Sequence, residues 1–412
     1  MPALRVPGHP PCRAPHRARA IRHALNAAIL ANCAQLGTGC ARAAAAPGAW
    51  PREVAIGIAL DADRPGMTAV QRGAELAAVT LAAEPATLAR GLRFVVRGTP
   101  HGLNGAVATA ERLRDDPAVI GIVGDPESGR TLDAVSVFED VEHGGTRAVA
   151  AVTPTGTSAA LAGRSPWLFR LSPDDETASR AVAAYVADSL HARRIAIVYR
   201  NDAYGRDWAT AFARAYTRAF EHGGNALVAR DPYLAGVTDW PVYARYLTAR
   251  HPDVILFPGD ANEAAALLRA LRAAGDHTPL LGGDGVAPLA DSAEFAGARY
   301  AVPFTAAAAE RADAPAEARA FVARYTARYG ERPDVRAALA YEATLLLGHA
   351  ALAVDLDAPD RRRRVRSWLA SLGHTAPAVR GVAGPIAFDG RHGVIGRGVT
   401  IAVVPASRST VR

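Results

Sequence analysis

Lysine is absent from all 412 positions, so each of the 47 basic side chains is an arginine. With so much alanine beside it, this reads as genomic composition bias, not as chemistry. Cysteine is absent after Cys40. The body of the chain therefore holds no disulfide, no thiolate metal site and no thiol nucleophile. No apolar run reaches the roughly 18 residues that would mark a membrane-spanning helix. Acid is absent before Glu53, and the formal net charge of +7 lies entirely there: seven of the 47 arginines precede Glu53, and the other 40 balance 40 Asp and Glu. A neutral body presents no basic face for nucleic acid.

Residues 1–52 read as a separate object. Arginines come first, then a modestly apolar stretch over Ala24–Leu36, then Gly37–Cys40 and an alanine-rich run. This is the order of an export signal. Cleavage after Ala43–Ala45 and lipid attachment at Cys40 are two ways for it to be processed; the alternative is a disordered leader. Periplasmic localisation is the expectation.

From Glu53 short β-branched runs alternate with longer Ala/Leu/Arg runs at helical spacing. Strands are predicted over Val54–Leu60, Leu92–Arg97, Ala118–Gly124, Arg147–Val152, Arg194–Arg200, Asn225–Arg230, Asp253–Gly259 and Pro279–Gly283. Helices are predicted between them. Near-continuous apolar strands separated by helices imply parallel sheets covered on both faces. That many units exceed one comfortable sheet, so the fold class is α/β with two domains. After Phe304, helices over Ala314–Tyr329 and Pro333–Val354 follow each other without a strand. Arg361–Arg364 read as a solvated helix face, and Gly384–Val404 as two strands around a turn.

In such sheets ligands bind beyond the carboxyl ends of strands. Two successive strand ends carry hydroxyls and glycine: "DPESGRT" with Ser128, and "TPTGTS" with Thr155 and Thr157, ahead of an Ala/Leu run with helical character. Free backbone N–H groups, hydroxyls and a helix N-terminus suit a small carboxylate. The plainer reading makes Ser128 and Thr157 helix caps. In the second half, Tyr204 falls at a strand-to-helix turn where its ring can cover a ligand. Asp284, between glycines, can pair with an ammonium group or be an ordinary turn residue.

Taken in order, "GAELAAV" (Gly73–Val79), "VTPTGTSAAL" (Val152–Leu161), "LFRLSPDDETASRAVAAYV" (Leu168–Val186), "RIAIVYRNDAYGRDWA" (Arg194–Ala209), "LLGGDGVA" (Leu280–Ala287), "AALAYEATLLL" (Ala337–Leu347) and "GVAGPIAFDGRHG" (Gly381–Gly393) resemble the leucine/isoleucine/valine-binding family of periplasmic binding proteins. The resemblance covers Val54–Val404. It implies two doubly wound parallel-sheet lobes, 53–171 with 303–385 and 172–302 with 386–412, joined by a three-crossing hinge. It implies carboxylate contacts at Ser128, Thr155 and Thr157, an aromatic contact at Tyr204 and an acid for the amino group at Asp284. Three positions depart from the family pattern. The loop "DADRPGM" (Asp61–Met67) is short and charged, Asp260 stands where an aromatic is usual, and Glu127 replaces a small neutral residue. Asp260 is kept as a candidate ligand contact; the added acid fits either a more cationic or polar ligand or a pocket that has drifted from the family's.

The expected function is capture of an amino acid or similar small carboxylate or amide for a membrane permease of an ABC importer. The alternative is a ligand sensor of the same fold controlling a partner. No cofactor, metal or nucleic acid is implied, and no His-Glu-x-x-His or Gly-x-Ser-x-Gly pattern suggests an enzyme.

Overall fold

The computed structural model describes residues 52–64, 66–98, 105–219 and 226–406. The export signal, Cys40 and Ala43–Ala45 lie outside the described residues.

Five strands form a first sheet: β1 (Arg52–Ile58), β2 (Leu92–Arg97), β3 (Val119–Val123), β4 (Ala151–Thr153) and β5 (Leu168–Arg170). Their order is β2-β1-β3-β4-β5 and every pair is parallel. A second sheet is built from β6 (Arg194–Arg200), β7 (Ala226–Tyr233), β8 (Val254–Leu256), β9 (Leu280–Gly282) and β10 (Arg299–Val302). A short antiparallel ribbon follows, β11 (Val379–Gly381) with β12 (Gly384–Ile386). The last strand, β13 (Thr400–Val403), joins the second sheet antiparallel to β10, giving the order β13-β10-β9-β8-β6-β7. The predicted C-terminal pair of strands around one turn is thus corrected: its two members lie in different sheets, because β12 finds β11 and β13 finds β10.

Helices cover both faces of each sheet. They are α1 (Met67–Ala82), α2 (Pro85–Ala89), α3 (Ala106–Asp115), α4 (Ser128–Phe138), α5 (Asp175–Asp188), α6 (Ala203–Ala219), α7 (Trp240–Thr248), α8 (Ala261–Ala273), α9 (Ala306–Ala309), α10 (Ala316–Tyr329), α11 (Val335–Ala353) and α12 (Arg361–Ser371). On one face of the first sheet Ile56, Ile120 and Val152 pack with Leu346, Leu347 and Leu369 from α11 and α12. On the other, Ala55, Val119 and Ile122 pack with Ala110 and Leu113 of α3 and Val135 and Phe138 of α4. The second sheet repeats this with α7 and α8 on one face and α5 and α6 on the other. α11 is apolar nearly all round, as a helix buried between α1 and a sheet must be.

The Ala/Leu run after the Thr/Gly loop is not a regular helix. Ala159–Leu161 make a single 3₁₀ turn capped by Ser158, whose hydroxyl accepts from Ala160 N–H at 3.2 Å. The chain then turns through Gly163 at φ +67°, a conformation that suits glycine. The chain passes between the sheets at three places. These are after Arg170, after Val302 and within the stretch from Phe388, still packed against Phe169 at 5.0 Å, to Thr400.

The arginine run on α12 is only partly a solvated face. Arg362 turns inward and donates to four carbonyls, those of Val119 (2.9 Å), Arg114 (2.8 Å), Arg147 (2.8 Å) and Asp116 (2.6 Å). Desolvation, and then the neighbouring Arg361, lower its pKa to about 10. The carbonyls of Arg114, Asp116 and Val119 end α3 and begin β3, and that of Arg147 precedes β4, so one guanidinium closes the end of that layer. Arg362→Met is expected to cost about 1.5–3 kcal/mol, the loss of charge-assisted bonds to part-buried carbonyls. Urea unfolding measures it, and an unchanged midpoint would mean that water replaces the guanidinium freely.

Candidate functional site

In both sheets the strand order reverses beside the first strand of the unit: between β1 and β3 in one, and between β6 and β8 in the other. Such reversals open a crevice at the carboxyl ends of the strands. Ser128 follows β3, Thr155 and Thr157 follow β4, Tyr204 follows β6, Asp260 follows β8 and Asp284 follows β9.

The two loops of the first sheet are laced together by their hydroxyls. Thr153 Oγ1 donates to the Asp125 carbonyl at 2.9 Å, and Thr155 Oγ1 to the Pro126 carbonyl at 2.8 Å. Ser128 is the first residue of α4, not its cap, which is Glu127. Its Oγ accepts from the N–H groups of Thr157 and Ser158 at 3.1 and 3.2 Å. The amides expected to meet an anion therefore already meet a hydroxyl oxygen. Gly156 is required where it stands, because a Cβ there would press on Thr153 Oγ1 and Leu161. Thr157 is different: its Oγ1 is buried and has no hydrogen-bond partner.

On the second sheet, Asp202 accepts from Gly205 N–H at 2.8 Å and starts α6. This places the Tyr204 ring over the Gly283–Asp284–Gly285 turn. A Cβ on Gly283 would strike the Tyr204 hydroxyl, and one on Gly285 the Gly259 carbonyl. The glycines flanking Asp284 are thus set by the close approach of Tyr204 and the β8 loop. The Tyr204 hydroxyl is buried and completes no hydrogen bond of good geometry, although it lies close enough to Asp284 to pull on that carboxyl. Burial, then the charges of Asp284 and Asp175, push its pKa well above the usual phenol value. Burial likewise raises the Asp284 carboxyl to about 6, against the opposing pull of Arg336.

The units meet directly. Ser158 Oγ donates to the carboxylate of Asp207 on α6. The three departures from the family pattern also meet one another. Arg64, from the short charged loop, pairs with Glu127 at 2.5 Å and approaches Asp260 at 3.8 Å. Asp260 is also paired with Arg200, which holds Asp202 at 2.6 Å. So Asp260 sits in an ion-pair chain at the rim, whereas Thr157, Tyr204 and Asp284 lie deeper. Sequence reading missed this chain because no local spacing marks it. It also missed Asp175, which touches the Thr157 loop through its N–H, donated to the Thr157 carbonyl at 3.0 Å.

An apolar cavity of about 310 Å³ lies away from these loops, between α10, α11 and β11. The acids and the histidine lining it are already paired: Glu342 with Arg397, Glu317 with Arg380 and His349 with Glu84. The strand-end crevice, with its unpaired polar atoms, is the better site for a polar solute.

Comparison with known proteins agrees with this architecture. A family model described as "Periplasmic binding protein" matches residues 56–409. The Leu/Ile/Val/Thr-binding protein of Salmonella typhimurium and the Leu/Ile/Val-binding protein of Escherichia coli K12 are each 28% identical over 183 residues. That match covers 44% of this chain and 47% of each relative, so the chain spans about half the length of the curated relatives it matches. Among solved structures, the isoleucine complex of LivJ from Streptococcus pneumoniae superposes with a TM-score of 0.71 at 23% identity, over 85% of this chain and 100% of that one. A solute-binding protein of R. palustris in complex with benzoate gives 0.71 at 17% identity, over 85% and 93%. The chain belongs to the periplasmic binding protein family.

Proposed function

We propose that the protein is an extracytoplasmic solute-binding protein that captures an amino acid or a similar small carboxylate or amide and delivers it to the permease of an ABC importer. The observation that carries this reading is that Thr157, after a strand of one sheet, and Tyr204 and Asp284, after strands of the other, all lie within reach of Asp175. Two of the three present buried hydroxyls without partners. Polar groups arranged in this way discriminate strongly between solutes that satisfy them and solutes that do not.

On this reading the two sheets are the cores of two lobes that close on the solute, with Ser158–Asp207 and the Arg64–Glu127–Asp260–Arg200 chain as closing contacts. We take the lobes as 53–171 with 303–385 and 172–302 with 386–412; packing of Phe388 and Val394 in the core of the first sheet supports moving that turn to the first lobe. The names of the curated relatives support an α-amino acid as ligand. The benzoate complex supports a wider range of carboxylates within the same fold. The basic leader before Glu53 supports export, with the lipid anchor at Cys40 as one form of it. No observation favours the sensor alternative, and a binding family is not an enzyme family.

Thermal-shift screening of the purified body against amino acids, amides and aromatic acids tests the reading, since a ligand stabilises the folded state in proportion to saturation. A hit is expected, and Thr157→Val is expected to weaken it by about 1–3 kcal/mol by removing the one unspent hydroxyl of the loop. Absence of any hit, or an unchanged hit in Thr157→Val, counts against the site.

A further inference from the structure

Asp175 opens α5 at 1% exposure. It is not the cap of its helix. That role belongs to Asp174, whose side chain accepts from Thr177 N–H at 2.8 Å. The Asp175 N–H is bound to the Thr157 carbonyl, which fixes the residue against the loop that carries the unpaired Thr157 hydroxyl. Neither oxygen of its carboxyl completes a hydrogen bond of good geometry; the Thr157 hydroxyl is the nearest donor, close enough to pull on the carboxyl but not aligned with it.

The neighbours do not compensate it. After desolvation, the charges that raise its pKa are Asp284 and Asp207; the Thr157 hydroxyl and Arg170 oppose them. Arg170 is turned elsewhere, donating to the Ser158 carbonyl at 3.1 Å and reaching Asp174 at 3.5 Å. The deep end of the crevice therefore holds two carboxyls, Asp175 and Asp284, and two unpaired hydroxyls, Thr157 and Tyr204. Arg170 and Arg336 pull on these carboxyls from a distance, but neither forms an ion pair with Asp175 or Asp284. A hydrocarbon side chain placed there would leave the desolvated Asp175 carboxyl with no donor beyond the Thr157 hydroxyl, whereas a cationic group would satisfy it.

We propose that Asp175 is a ligand-contacting, specificity-determining residue, and that the ligand is an α-amino acid with a positively charged side chain, its α-ammonium on Asp284 and its side-chain cation on Asp175. This rests on the amino acid-binding reading above and narrows it. Selectivity then comes as much from rejecting hydrocarbon side chains as from attracting the cation.

The test pairs L-lysine, L-ornithine and L-arginine with L-norleucine, which has the carbon skeleton of lysine without its ammonium group. Calorimetric titration of the full chain is expected to show at least one cationic amino acid binding on the order of 100-fold more tightly than norleucine. In Asp175→Asn, nearly isosteric, that ratio is expected to collapse, chiefly by loss of the cationic ligand. If the wild type binds norleucine or leucine as tightly as the cationic amino acids, or if the ratio survives in a folded Asp175→Asn, the assignment is overturned while amino acid capture stands. If no α-amino acid binds the wild type, both readings fall. Should Asp175→Asn not fold, the wild-type ratio decides alone.

Discussion

Glu342→Ala is expected to destabilise the protein by about 3–5 kcal/mol, because it strands a buried cation. Arg397 and Glu342 form a two-point ion pair, at 2.7 and 3.0 Å, with side-chain exposures of 0% and 1%. The guanidinium also donates to the carbonyls of Leu171 (3.2 Å), Gly384 (2.8 Å) and Pro385 (2.9 Å). Glu342 in turn accepts from Ala383 N–H at 2.7 Å. Leu171 begins the first passage between the sheets, Arg397 lies in the third, and Glu342 is on α11. One pair thus pins two of the three passages to the helix under the first sheet. Removing the acid leaves a desolvated positive charge and an unpaired amide. An apolar replacement of both partners, Glu342→Leu with Arg397→Met, is expected to recover only part of the loss, since the three carbonyls keep no donor. Denaturant unfolding monitored by circular dichroism reads both variants. A loss under about 1 kcal/mol for Glu342→Ala would show that water screens the pair.

The periodic parts of this fold were legible in the residues. β2 and β6 fall where alternating Val, Ile and Phe place them, and α1, α6 and α8 begin and end within a few residues of their apolar repeats. β5 and β10 were not legible, because "LFR" and "RYAV" are three and four residues long and owe their strand conformation to β4, β9 and β13 beside them. The Ala/Leu run after Ser158 misled for the converse reason: its composition suits a helix, but Gly163 and Pro166 leave no room for one. Candidate residues that directly follow a strand could be found by the strand-end rule, and Ser128, Thr157, Tyr204 and Asp284 do each follow the carboxyl end of a strand. The Ser158–Asp207 contact and the Arg64 chain join segments 49 to 196 residues apart, and Asp175 sits inside a helix start with a better cap next door. Their partners are set by tertiary approach, which no spacing encodes. The same holds for Arg362 and Arg397, which look like surface arginines in the sequence and are structural donors in the fold.

Asp284→Asn should produce the largest change in ligand binding, and pH should expose its cause. The Asp284 carboxyl is held at about 6, chiefly by desolvation, with Arg336 and Tyr204 opposing; unfolded, its pKa is near 3.8. An acid whose folded pKa is raised contributes stability that is complete below the unfolded value and is lost as pH rises through the folded one. Relative to Asp284→Asn, the ligand-free wild type should therefore lose stability between about pH 4 and pH 6, by up to about 3 kcal/mol, and the difference should stay level above that. Ligand binding runs the other way. An α-ammonium needs the ionised carboxylate, so wild-type affinity for the amino acid should weaken about tenfold per unit as pH falls below about 6. The asparagine variant should bind about 2–5 kcal/mol more weakly at neutral pH, the cost of leaving a desolvated ammonium without its counter-charge. Its residual affinity should lose the part of this slope that Asp284 supplies. Asp125, also held near 6, titrates in both proteins and cancels in the comparison. The protein should thus be less stable empty at neutral pH than Asp284→Asn, and on the proposed reading the ammonium of the solute supplies the charge that the fold withholds. Equal affinities at pH 5 and pH 7 in the wild type, or parallel slopes in wild type and variant, would remove Asp284 from the ammonium site and with it the division of labour between the two sheets.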